Sequence, residues 1–113
     1  MERLKRRVDF LAVAGGAKVA SPAFVVQRRP RADEGPVRIG FTVSKRVGTA
    51  TERNRVRRRL RELVKRVDIM TMRPHSDYVL VGRRNALHRA FATMLEDLRL
   101  ALRRLDRPSP ERS

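Results

Sequence analysis

Hydrophobic and polar positions alternate most cleanly between Val37 and Ser44. Val37, Ile39, Phe41 and Val43 take one side, and Arg38, Gly40, Thr42 and Ser44 take the other. Such a period of two predicts a strand with one face in a core and one face polar and open. Upstream, "PAFVVQRR" (22–29) predicts another strand, followed by a polar loop with Pro30, Asp33, Gly35 and Pro36. Along that strand Val25 and Gln27 point one way, Phe24 and Val26 the other. "SDYVLVG" (76–82) carries the unbroken apolar run of an inner strand covered on both faces.

Three segments have helical spacing instead. Residues 1–7 form a basic lead-in, after which "DFLAVA" (9–14) predicts a short helix stopped by Gly15-Gly16. Val56, Leu60, Leu63, Val64 and Val67 recur at i, i+4, i+7, i+8 and i+11, one side of an amphipathic helix. Thr49 and Glu52 have the spacing of a capping box at its start, and Thr51 is an equally good cap. Phe91, Met94, Leu95, Leu98, Leu102 and Leu105 make a single stripe on a last helix over 88–105. The order helix, strands, helix, strand, helix defines an α+β chain with a sheet covered by helices. One domain over 1–106 and a solvated tail over 107–113 complete the organisation.

Composition narrows the partners more than the fold. The 113 residues hold 28 Lys+Arg against 12 Asp+Glu, a formal net charge of +16, which favours a polyanion. No apolar run approaches the length of a membrane span, so no membrane partner is expected. The absence of cysteine removes disulfide, thiolate-zinc and cysteine-nucleophile chemistry and fits a reducing cytoplasm. The opening "MERLKRRVDFLAVAGGAKVA" superficially resembles a secretion signal. Asp9 and Lys18 bracket too short and broken an apolar core for one, so none is expected.

The charge is concentrated on the second helix. Eight of the fourteen residues from Arg53 to Arg66 are Arg or Lys, and seven of those eight are Arg. Asn54, Arg58, Arg61 and Lys65 fall together opposite the apolar side, Arg55, Arg59 and Arg66 extend the charge, and Arg57 flanks the buried edge. Like charges at i, i+4 repel, and Glu62 is the only acid in the patch, so helix stability cannot explain it. The guanidinium fork suits phosphate oxygens and base edges. This face is expected to meet RNA or DNA, and charge alone does not choose between them.

"FTVSKRVGTATERNRVRRRLRE" (41–62) closely resembles the signature of the protein subunit of bacterial ribonuclease P. That signature is a strand ending in Ser44-Lys45-Arg46, a turn at Gly48, and Arg53-Asn54-Arg55 opening a basic helix. "RLKRRVDFLAV" resembles the family's first helix and "DYVLVGRRNA" (77–86) its last strand and exit. The resemblance implies a small α+β domain of about four strands in the order α-β-β-β-α-β-α. It also implies a left-handed βαβ crossover, the arrangement of ribosomal protein S5 domain 2, where general strand chirality would give a right-handed one.

The function it implies is that of a cytoplasmic RNA-binding subunit. With a catalytic RNA it removes the 5′ leader of precursor tRNA, and Mg²⁺ serves the RNA-catalysed reaction. No DNA partner, tightly held cofactor or catalytic side chain is implied for the protein. Carried over by position, Lys45, Arg46, Arg53, Asn54, Arg55, Arg57, Arg58, Arg61 and Lys65 face RNA. Phe10, Val25 and Gln27 line a leader cleft between the first helix and the open sheet face. Many relatives have aromatics where this chain has Ala14 and Gln27, so Phe10 is expected to be the cleft's one aromatic platform.

Other chemistry finds little support. His75 follows Pro74 in a loop, and His88 is expected to open the last helix, which gives no acid–base pair. Asp33-Glu34 and Glu96-Asp97 are isolated pairs, not a two-metal cluster. "VAGGAKVA" lacks phosphate-loop spacing. The alternative to a ribonuclease P subunit is a ribosomal or other basic RNA-binding protein without a processing role.

Overall fold

The computed structural model describes residues 2–67 and 72–106, so the tail over 107–113 lies outside the described residues. In chain order the elements are β1 (Glu2–Arg3), α1 (Arg7–Ala14), β2 (Ala17–Ala20), β3 (Phe24–Pro30) and β4 (Arg38–Thr42). They continue with α2 (Ala50–Arg66), β5 (Ser76–Gly82) and α3 (Phe91–Asp106). Short 3-10 turns at Lys45–Val47 and Arg84–Leu87 lead into α2 and toward α3.

The strands form one mixed sheet in the order β1-β4-β5-β3-β2. β5 lies in the middle, parallel to β4 and antiparallel to β3, and the parallel pair is joined through α2. Five strands replace the expected four or so. The extra one is the basic lead-in, whose Glu2 and Leu4 amides donate to the carbonyls of Val37 and Ile39 at 3.0 and 2.8 Å. Two paired residues leave no periodic trace in a sequence. The last helix starts at Phe91, where its apolar stripe begins, and not at 88 as expected, because the Arg84–Leu87 turn intervenes. His88 therefore ends that turn instead of opening α3.

The sheet separates two apolar clusters. On one face Phe24, Val26, Ile39, Tyr78 and Leu80 pack with Val56, Leu60 and Leu63 of α2 and Met94, Leu98 and Leu102 of α3. On the other, α1 covers a smaller cluster of Leu4, Val13 and Val79, flanked by Phe10 and Val81. The alternation along β3 and β4 and the near-complete burial of β5 follow from this two-sided packing.

One buried charge stands at the head of β5. Asp77 has no exposed surface and accepts hydrogen bonds from Arg38 Nε and Nη2, both at 2.8 Å, and from Arg31 Nη1. Arg38 also lies 3.6 Å from Asp9 of α1. Burial opposes ionisation of Asp77, but the hydrogen bonds from Arg38 and Arg31 outweigh it and hold its pKa below the usual carboxylate range.

Removing that carboxylate would take the buried acceptor from two guanidinium groups, leaving Arg31 with Asp33 and the Pro36 carbonyl and Arg38 with Asp9. Asp77→Ala is expected to destabilise the fold by about 3–5 kcal/mol in urea unfolding at neutral pH. Because the folded-state pKa is depressed, this stabilisation is complete above the unfolded value of about 3.9. It is lost as pH falls through the folded value. The stability gap between wild type and variant should therefore narrow below about pH 4; a gap independent of pH would rule out the ionised carboxylate as its source.

Candidate nucleic-acid interface

The start of α2 is fixed before its charged face is presented. Thr49 is the cap: its Oγ1 accepts from the Glu52 amide at 3.2 Å, and Glu52 Oε1 accepts from the Thr49 amide at 3.0 Å. Arg84 reaches over from the turn after β5, donating to Glu52 Oε2 at 3.2 Å and to the Val47 carbonyl at 2.7 Å. The bond from the Thr49 amide, then that from Arg84, lowers the Glu52 pKa and favours its carboxylate. Gly48 sits between them at φ 155°, where a Cβ would run into Glu52 and Arg84. The turn bearing Lys45 and Arg46 is thus pinned to the helix start, with both cations exposed.

Beyond the cap, Val56, Leu60, Leu63 and Val64 are buried as the spacing requires. Asn54, Arg55, Arg58, Arg61 and Lys65 are exposed, while Arg53 and Arg57 are half-buried. Arg57 donates to Asn54 Oδ1 at 3.0 Å. Arg53 Nε is enclosed and meets no acceptor among the described residues. Among those residues, none of Lys45, Arg46, Arg53, Arg55, Arg57, Arg58, Arg61 and Lys65 forms an ion pair.

Two other arginines of the helix have internal work. Arg59 donates to the carbonyls of Ala86 and Arg89 at 2.7 and 2.8 Å and so holds the turn before α3. Arg66 pairs with Glu62 at 3.3 Å and lies 5.4 Å over the Phe91 ring. Local spacing shows the Glu62–Arg66 pair, four residues apart, but neither the carbonyls that Arg59 meets nor the contact of Arg66 with Phe91.

Phe10, Val25 and Gln27 come together on the opposite face of the sheet. Val25 pairs with Val81 and Gln27 with Val79, so all four side chains face α1. Phe10 leans over Gly40, where a Cβ would collide with its ring and with Leu4. All three expected cleft residues are half-buried, Ala14 is exposed, and Lys18, paired with Gln27, adds an exposed cation on the same side. Sequence reasoning missed Gly40 and Lys18; the alternation in β4 already placed Gly40 on the open face.

The two histidines and the paired acids are not brought together among the described residues. His75 Nδ1 lies 2.7 Å from the Gly35 carbonyl before β5, whereas exposed His88 follows the turn beyond the strand's other end. Glu96 is paired with Arg99, and Asp97 with Arg89. Among the described residues no three His, Asp or Glu side chains gather to hold a metal ion. Nor is any described helix long and apolar enough to cross a membrane.

The small α+β fold that carries this basic helix and this half-open cleft matches known proteins over most of its length. The family model described as Ribonuclease P matches residues 1–106, and the chain belongs to that family. Among curated relatives, the "Ribonuclease P protein component" of Gluconacetobacter diazotrophicus is 50% identical over 103 residues, covering 90% of this chain and 89% of the relative. That of Paramagnetospirillum magneticum is 44% identical, covering 93% and 83%. The solved RNase P protein of Staphylococcus aureus superimposes with a TM-score of 0.76 at 26% identity, covering 94% of this chain and 96% of that one. The RNase P protein of Thermotoga maritima gives 0.73 at 30% identity, covering 91% and 97%.

The cap and the charged face should separate in stability measurements. Thr49→Ala is expected to cost about 1 kcal/mol through loss of the helix cap. Arg58→Ala, with no partner to lose among the described residues, should stay within about 0.5 kcal/mol of wild type. Urea unfolding of both variants checks this, and a large loss at Arg58 would assign that side chain a structural role.

Proposed function

We propose that this protein is the RNA-binding subunit of ribonuclease P and that it promotes removal of the 5′ leader from precursor tRNA without a catalytic side chain of its own. The observation that carries the reading is the face of α2, where Arg55, Arg58, Arg61 and Lys65 stand exposed and unpaired among the described residues. Such an array lacks its counter-charges, and a phosphate backbone supplies them. In this reading Lys45, Arg46, Arg53, Asn54, Arg55, Arg57, Arg58, Arg61 and Lys65 meet the catalytic RNA. The leader lies against Phe10, Val25 and Gln27. Hydrolysis and its Mg²⁺ belong to the RNA, and the assembly works in the cytoplasm.

Reconstitution tests the assignment. At low Mg²⁺, protein added to a bacterial ribonuclease P RNA should stimulate cleavage at the 5′ end of the mature tRNA sequence, and protein alone should leave the precursor intact. Cleavage by highly purified protein alone would overturn the absence of catalytic side chains. Binding without stimulation would favour a basic RNA-binding protein with no processing role.

Two substitutions address the separate surfaces. Arg58→Ala or Arg61→Ala should weaken binding of the RNA subunit and reduce the slope of log affinity against log salt by about 0.7–0.9 per lost phosphate contact. An unchanged slope would remove that side chain from the phosphate contacts. Phe10→Ala should weaken binding of precursor tRNA to the holoenzyme while sparing mature tRNA, which has no leader, since stacking on an aromatic is worth roughly 1–3 kcal/mol per base. Equal losses for both ligands would return Phe10 to a packing role.

A further inference from the structure

Beside the exposed face of α2, toward the start of α3, an open groove of about 460 Å³ is lined by Arg55, Arg58, Arg59, Glu62 and Phe91. It combines a ring with a net positive rim. Arg59 is held in place by two carbonyls, which leave its charge uncompensated. Glu62 is taken up by Arg66. Arg55 and Arg58, three residues apart on one helix face, are exposed and form no ion pair among the described residues. Phe91 is half-buried and packs partly on the main core. Arg66 lies over the ring but does not line the groove, which Phe91 lines together with Arg55, Arg58 and Arg59.

An apolar filler for this part of the fold would need no ring set among arginines. A nucleotide needs both elements, a flat surface for its base and guanidinium groups for its phosphate. Resting on the RNA-binding reading above, we propose that this groove is a nucleotide subsite. An unstacked base of the RNA subunit lies against Phe91, and the adjoining phosphate is held by Arg55 and Arg58. The subsite lies outside the cleft under α1 and adds base stacking to a surface otherwise made of charge.

The chain contains no tryptophan, so Phe91→Trp introduces a single fluorescent reporter while keeping a ring. Titrating the full-length variant with the cognate ribonuclease P RNA should quench its emission in a saturable way, over the same concentrations as binding. Phe91→Leu, which keeps an apolar contact but no ring, should weaken RNA binding roughly five- to a hundredfold. Because stacking releases no counterions, its salt slope should stay that of wild type. Unchanged emission at saturation, or wild-type affinity of Phe91→Leu, would overturn the subsite. Arg58→Ala run alongside separates the two failures. If it weakens binding while Phe91→Leu does not, only the subsite is lost; if neither variant weakens binding, the α2 reading falls with it.

Discussion

The buried carboxylate of Asp77 ties β5 to β4 and to the loop after β3. It receives Arg31 from the loop after β3 and Arg38 from β4, and Arg38 lies in turn beside Asp9 of α1. Arg31 further donates to the Pro36 carbonyl and Asp33, which folds the loop back on itself. Burying such a group contributes little net stability, since desolvation offsets much of the attraction. Its effect is on register. Arg38 faces Asp77 across the parallel β4–β5 ladder, and a slip of one residue would turn every side chain of β4 to the wrong face. The same ladder places Gly40 beneath Phe10, so the shape of the cleft descends from that pairing.

A chain with so many cations must divide them between folding and binding. Arg31, Arg38, Arg59 and Arg84 are engaged by carboxylates and carbonyls, and each ties together elements distant in sequence. Arg55, Arg58, Arg61 and Lys65 have no such partners among the described residues, and their mutual repulsion opposes the helix that carries them. The capping box, the apolar stripe and the Arg84 bridge offset that repulsion. Stability and the proposed RNA contacts thus draw on different members of the same residue type. Composition alone cannot tell them apart.

Much of this architecture is legible in the sequence. The alternation in β4, the apolar run of β5 and the stripes of α2 and α3 each reflect burial on a defined side, and burial is what a periodic pattern records. The parity of Val25 and Gln27 likewise placed them on one face. What escaped was pairing without periodicity: the two residues of β1, the short β2, and the turn that displaces His88 from α3. The roles of Asp77, Arg59 and Arg84 escaped for a related reason. A long-range hydrogen bond leaves no mark near either partner.

The two clusters on opposite sides of the sheet have a thermodynamic consequence for the proposed assembly. The α2 surface and the α1 cleft share no side chain, so a leader and a catalytic RNA need not compete for the protein. Any cooperativity between them through the protein must pass across the thickness of the sheet, through neighbours such as Val79 and Leu80 that face opposite sides. Close-packed strands at the centre of a sheet yield little, which makes that route stiff. Coupling free energy between the two ligands would then arise chiefly where the nucleic acids touch each other, with the protein setting the distance and angle at which they meet.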